Sequence, residues 1–186
     1  HSWFGLIGLH LREALLPVLA GLVAALPLAQ LCVRFRWLYP PVLSLTTVLY
    51  AVPSLAFFVV LIDYTGQSEL TVMIPLAVYS LVVLVPAVVD GVRSVPPETL
   101  APAPAMGFGP VRRYVQVQLP IAVPAIIAGL RVATVSSISL VSVGMLIGNQ
   151  GALGNLLHAA TVYHRPELAV NSVVTTAALA VLADGA

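Results

Sequence analysis

The sequence predicts an all-α polytopic membrane protein. Three observations carry this reading: 60% of the 186 residues are hydrophobic, only 8% are charged, and long apolar runs recur along the chain. A soluble globular chain carries roughly 25% charged residues. A helix needs about 20 mainly apolar residues to cross a hydrocarbon core about 30 Å thick. Period-two alternation, which marks lipid-facing barrel strands, is missing from these runs, so helices are left as the way to satisfy backbone polar groups in lipid.

Five runs read as spans, at about 15–33, 41–62, 70–89, 121–147 and 168–186, the last cut by the end of the sequence. The chain starts at His1 and stops inside an apolar segment, so this number is expected to be a minimum. Residues 1–14 mix Trp3, Phe4, Leu6, Ile7, Leu9 and Leu11 with His10, Arg12 and Glu13. They are expected to lie in the membrane interface as a short helix or to be the end of another span, ahead of a transmembrane domain over 15–186. Pro17, Pro27, Pro53, Pro75, Pro86 and Pro124 interrupt the runs and read as packing kinks, tolerated where neighbours satisfy the freed carbonyls.

Charge orients the bundle. All eight basic residues are arginine, against seven acids, and a net charge of +1 offers no basic face for nucleic acid. Arg34 and Arg36 fall between spans one and two, and Arg93, Arg112 and Arg113 between three and four, whereas the connection 63–69 holds Asp63 and Glu69 and no base. The positive-inside bias makes the arginine loops cytoplasmic and places the loop of His158, His164 and Arg165 outside; Arg12 and Arg165 oppose this count. Trp37, Tyr39, Tyr64 and Tyr163 near span ends fit interfacial belts.

Catalytic constellations are scarce. Cys32 is the single cysteine and reads as a small hydrophobe, and His158 and His164 have no identified third metal ligand. Ser136, Ser137, Ser139 and Ser142 favour close helix approach over nucleophilic chemistry, since no acid–base partner lies nearby in sequence. The chain has no lysine and no glycine-rich phosphate loop ending in Gly-Lys-Ser/Thr, so it does not present that nucleotide site. It is not expected to be an enzyme by itself or to bind a cofactor.

The segment 92–120 is longer than a connection between packed helices needs. Ser94 or the Pro96-Pro97 pair can start a short helix, Gly107 and Gly109 provide a break, and Pro110 can open a second helical piece ending before Pro120. Met106 and Phe108, with Arg112 and Arg113 beside them, can form an apolar docking knob rimmed by charge. The alternative is that both apolar side chains fold back onto helix ends.

Order and spacing in this loop resemble the inner-membrane permeases of ABC importers, whose cytoplasmic motif runs Glu-Ala-Ala, three residues, Gly, and later an apolar residue and Pro. Ala101, Pro102 and Ala103 stand at the Glu-Ala-Ala positions, Gly107 at the glycine, and Leu119-Pro120 at the closing pair. The likeness continues through Pro124 to Thr134 and Gly148 to Gly154. His10-Leu11 and Val52-Pro53-Ser54-Leu55-Ala56 are most similar to permeases for compatible solutes such as glycine betaine, choline and carnitine.

The resemblance implies a type I ABC importer permease bundle in the bacterial cytoplasmic (inner) membrane. It implies a second identical or homologous permease, a cytoplasmic ABC ATPase dimer that binds the ATP and Mg, and an extracytoplasmic solute-binding protein. Coupling residues are then expected at Glu98, Ala101, Ala103, Met106, Gly107, Phe108, Arg112, Arg113, Leu119 and Pro120. The motif's glutamate is replaced by Ala101, with Glu98 a compensating carboxylate three residues earlier; Pro102 and Pro104 should disturb a regular helix.

Tyr50, Ser54, Phe57, Phe58 and Tyr79 are candidate pore-lining residues, because aromatic faces attract quaternary ammonium groups; packing is the alternative. Arg131 is expected to snorkel toward the cytoplasm and Asp90 to pair with Arg93. A permease for another small solute, a secondary transporter working without an ATPase and a non-transporting structural subunit are the competing readings.

Overall fold

In the computed structural model, which describes residues 3–147 and 152–185, the described residues are helical almost throughout. The helices are α1 (Trp3–Arg34), α2 (Tyr39–Ala51), α3 (Ser54–Thr65), α4 (Glu69–Arg93), the short α5 (Pro97–Leu100), α6 (Pro102–Ala105) and α7 (Pro110–Arg113), then α8 (Leu119–Val141), α9 (Gly154–Val162) and α10 (Pro166–Gly185). Among the described residues, four helical stretches are long and apolar enough to cross a membrane, and a fifth span results if α2 and α3 are taken together.

The core forms where α1, α4 and α8 meet. Val18, Ala25, Ala29, Leu84, Val88, Val92, Ile126 and Ala133 are buried in one cluster. In lipid, apolar surface gives helices no reason to prefer one another, so close backbone approach through small residues takes over. A side chain added at Gly129 would place its Cβ 2.6 Å from Ala87 Cβ, and one at Gly91 2.9 Å from Ala125 Cβ. Gly129→Leu should therefore push α8 off α4 and destabilise the bundle by about 1–3 kcal/mol, the usual range for overpacking, read as a lower melting temperature in detergent. By contrast, α10 fully buries only Ser172: Leu179, Ala180 and Ala183 pack partly buried against the core, while Val170, Val173, Val174, Val181 and Leu182 are exposed.

Three expected boundaries change. Of the segment 1–14, the described residues 3–14 join the span 15–33 in one continuous helix, α1, since Leu6, His10, Glu13, Ala14 and Pro17 follow helical spacing and are buried together. The span 41–62 is broken into α2 and α3, bent by 89°. Pro53 has no N–H for the last turn of α2, and Val52 donates to the Leu49 carbonyl instead, at 3.2 Å. The helical piece opened by Pro110 does not end before Pro120: it passes through a π-helical turn, Tyr114–Gln118, straight into α8. The missing Pro120 N–H is absorbed by that wider turn.

One expected polar contact also differs. Arg93 does not pair with Asp90 among the described ion pairs. Its guanidinium donates to the Cys32 carbonyl at 3.3 Å and lies 4.5 Å over the Tyr39 ring, which ties the ends of α1 and α4 together. Arg131 is bonded to Asp184 of α10 at 3.1 Å, a pair in which both side chains are about half exposed. Gly148 and Gly151, expected to shape the turn after α8, lie outside the described residues; Gly154 packs against the Ser142 backbone with no room for a Cβ.

Candidate functional site

Two regions could carry function: the loop 92–120 and a cavity at the break between α2 and α3. In the loop, the proline pair and not Ser94 starts the first helical piece. Pro97 occupies the first helical position of α5, while Ser94 caps the end of α4 and its hydroxyl donates to the Gly91 carbonyl at 2.7 Å. Ala101 keeps α-helical dihedrals, so α5 and α6 run on as two short pieces. Pro102 and Pro104 remove the N–H groups that Glu98 and Leu100 carbonyls would accept, which keeps this segment from becoming one regular helix.

The loop turns at Gly107. Its φ is +77°, Phe108 N–H donates to the Ala103 carbonyl at 2.9 Å, and Gly107 N–H to the Pro104 carbonyl at 3.0 Å. These two bonds make a Schellman cap, for which glycine is the favoured residue because it has no Cβ to clash in the left-handed region. The cap buries Ala103 and leaves Met106 62% exposed at the apex. Phe108 is half-buried beneath Arg112, whose guanidinium stands 4.2 Å from the ring centroid and also donates to Gln116 at 2.9 Å. Glu98 and Ala101 are exposed, Arg113 and Leu119 half-buried and Pro120 exposed. The loop is anchored by Tyr114, a residue the sequence did not single out: its buried ring joins the core and its hydroxyl donates to the Leu26 carbonyl of α1 at 2.8 Å.

The cavity, about 300 Å³, opens at the bend itself and is lined by Ala51, Val52, Pro53 and Ser54 from the break, Tyr50 before it, Tyr79 and Ser80 from α4, and Ser136 and Ser137 from α8. Tyr79 fixes the bend, because its hydroxyl donates to the Val52 carbonyl at 2.6 Å. Its ring meets Tyr50 edge-on at 6.5 Å and Phe57 at 6.2 Å. Of the expected lining residues, neither Phe57 nor Phe58 is part of this wall: Phe57 only backs the Tyr79 ring. One residue further along a helix turns the side chain by about 100°, and Phe58 is fully buried in the cluster of Ala14, Val72, Leu76 and Ile138.

Sequence reasoning missed the polar seam beside that cluster. His10 and Glu13 are fully buried on α1; His10 Nε2 donates to the Ile138 carbonyl at 2.8 Å, and the Ser137 hydroxyl to the Ala14 carbonyl at 2.8 Å. The available signal was spacing: a histidine and a glutamate three apart share a helix face with Leu6 and Pro17.

Solved permease structures of ABC transporters share this bundle fold. The chain superposes on the MetNI methionine ABC transporter, solved in inward-facing conformations, with a TM-score of 0.82 at 18% identity, covering 97% of this chain and 91% of that one. An amino acid ABC transporter crystallised with histidines gives 0.68 at 19% identity over the same shares. The chain belongs to the family of binding-protein-dependent transport system inner membrane components, which matches residues 17–184.

Among curated relatives, it is 30% identical to the glycine betaine/carnitine/choline transport system permease protein OpuCD of Bacillus subtilis, over 94% of this chain and 76% of that protein. It is 32% identical to the osmoprotectant import permease protein OsmW of Salmonella typhimurium, over 80% of this chain and 71% of that one. This is thus a multi-pass inner-membrane transport subunit, a non-catalytic part of its system. Family membership implies an ABC ATPase and a solute-binding protein as partners.

Proposed function

We propose that this chain is the permease of an ATP-driven importer for osmoprotectants such as glycine betaine, choline or carnitine, and that the loop 92–120 receives the stroke of a cytoplasmic ATPase dimer. The observation that carries the coupling assignment is the Schellman cap at Gly107, which holds Met106 outward at the apex of a loop whose base is bonded to α1. A second permease, identical or homologous, completes the membrane unit, and an extracytoplasmic binding protein delivers the solute. ATP and Mg are bound by the ATPase, and this chain itself binds no cofactor. The solute class is supported by the curated relatives, which are permeases named for glycine betaine, carnitine and choline transport.

Reconstitution with the cognate ATPase and binding protein tests the whole reading. Solute-stimulated ATP turnover and uptake are expected across a panel of betaines and choline; absence of both favours a secondary transporter or a structural subunit. Within that system, Ala101→Glu should restore an exposed carboxylate at the loop and raise stimulated ATP turnover about two- to fivefold, the range an exposed ion pair of up to about 1 kcal/mol allows. Unchanged turnover would remove the idea that Ala101 weakens coupling.

A further inference from the structure

The geometry points to a solute site inside the permease itself: the cavity at the α2–α3 break, where a quaternary ammonium head lies against Tyr50 and Tyr79. This deepens the osmoprotectant reading and rests on it. At about 300 Å³ the cavity is at the small end of ligand pockets, which suits a compact solute.

Among the described residues, no ionisable side chain lines it except the two tyrosines, so none of them opposes a cation with a fixed positive charge or traps one with a carboxylate. Aromatic rings attract a desolvated cation through their negative faces, and the attraction is strongest where water is displaced. Tyr79 is held in place by its bond to the Val52 carbonyl, and the edge-on packing of Tyr50 and Phe57 against it builds an aromatic cluster at the mouth of the bend.

The break supplies the second element. A helix end leaves carbonyls without intrahelical donors, and these carry partial negative charge. Among the described residues no hydrogen bond reaches the Tyr50 or Ala51 carbonyl oxygens, since Pro53 interrupts the ladder just beyond them. Rings and carbonyls together recognise a methylated ammonium without forming an ion pair, which permits release. Ser54 and Ser136 line the same cavity, and their hydroxyls, bonded to nothing else among the described residues, are donors for the carboxylate of a betaine.

The test uses the purified permease–ATPase complex without binding protein, with radiolabelled glycine betaine as the probe in equilibrium dialysis, followed by uptake with the binding protein present. Saturable betaine binding is expected, about tenfold weaker in Tyr50→Leu, whose exposed ring the fold does not need, and retained in Tyr50→Trp. Tyr50→Leu should also raise the uptake KM while betaine affinity of the isolated binding protein is unchanged. The uncharged-head isostere 3,3-dimethylbutanoate should not displace betaine. If Tyr50→Leu binds and transports betaine as the parent does, or if the isostere competes equally, the site is refuted while the osmoprotectant reading stands. If the parent complex with its binding protein transports no betaine or choline, both are refuted.

Discussion

Gly107→Val should abolish solute-stimulated ATP turnover, by about tenfold or more, without impairing membrane insertion or the folding of the bundle. At φ +77° a β-branched side chain collides with its own backbone, and even an unbranched residue in the left-handed region costs about 1–2 kcal/mol. The collision is purely local, because a Cβ at this position would meet nothing else within 4 Å. The expected response is therefore loss of the Schellman cap and reorientation of Met106, while the α1–α4–α8 core stays as it is. Gly107→Asn provides the control, since asparagine tolerates the left-handed region, and should recover most of the coupling. Turnover measured in proteoliposomes, beside melting temperatures of the two variants, decides the matter; full coupling in Gly107→Val would remove the cap from the mechanism.

Met106→Asp should have the second largest effect, weakening capture of the ATPase by about ten- to a hundredfold, the range for loss of a buried apolar anchor at an interface. The side chain is 62% exposed and touches no core cluster, so permease stability should hardly change. Phe108→Ala should cost less binding, since that ring is already covered by Arg112. Pull-down of the ATPase at graded salt separates the two contributions: the Met106 effect persists at high salt, where any contribution from Arg112 is screened. Equal capture by the parent and Met106→Asp would place the docking contact elsewhere in the loop.

The helical class was legible because it depends on local composition, in apolar runs of sufficient length: five such runs were expected, and among the described residues four helical stretches, or five with α2 and α3 joined, are long and apolar enough to cross a membrane. What was not legible depends on a partner helix. Pro17, Pro27, Pro75, Pro86 and Pro124 all lie within continuous helices, whereas Pro53 marks an 89° bend. The residue type is the same in every case; the difference at the bend is Tyr79, 27 positions from Val52 in sequence, whose hydroxyl takes the Val52 carbonyl. Phe57 and Phe58 likewise read alike, and only the packing of α3 on α4 separates a ring beside the cavity from one in the core. The burial of His10 and Glu13 follows from α8 lying against α1, a pairing that no short-range pattern encodes.

The uninterrupted passage from α7 through the π turn into α8 gives the chain the mechanics of a lever. From Arg113 to Ser136 the helical path is about 35 Å at 1.5 Å per residue, with no flexible connection between the loop and the wall of the cavity. Tyr114, bonded to Leu26, stands at the near end of this arm as its fulcrum. A tilt of about 5° imposed at the loop would displace the far end by roughly 3 Å over such a length, comparable to the radius of a methylated ammonium head. Because Gly129 of the same arm lies tight against Ala87, such a tilt carries the α4–α8 contact with it and reaches the cavity wall at Ser136.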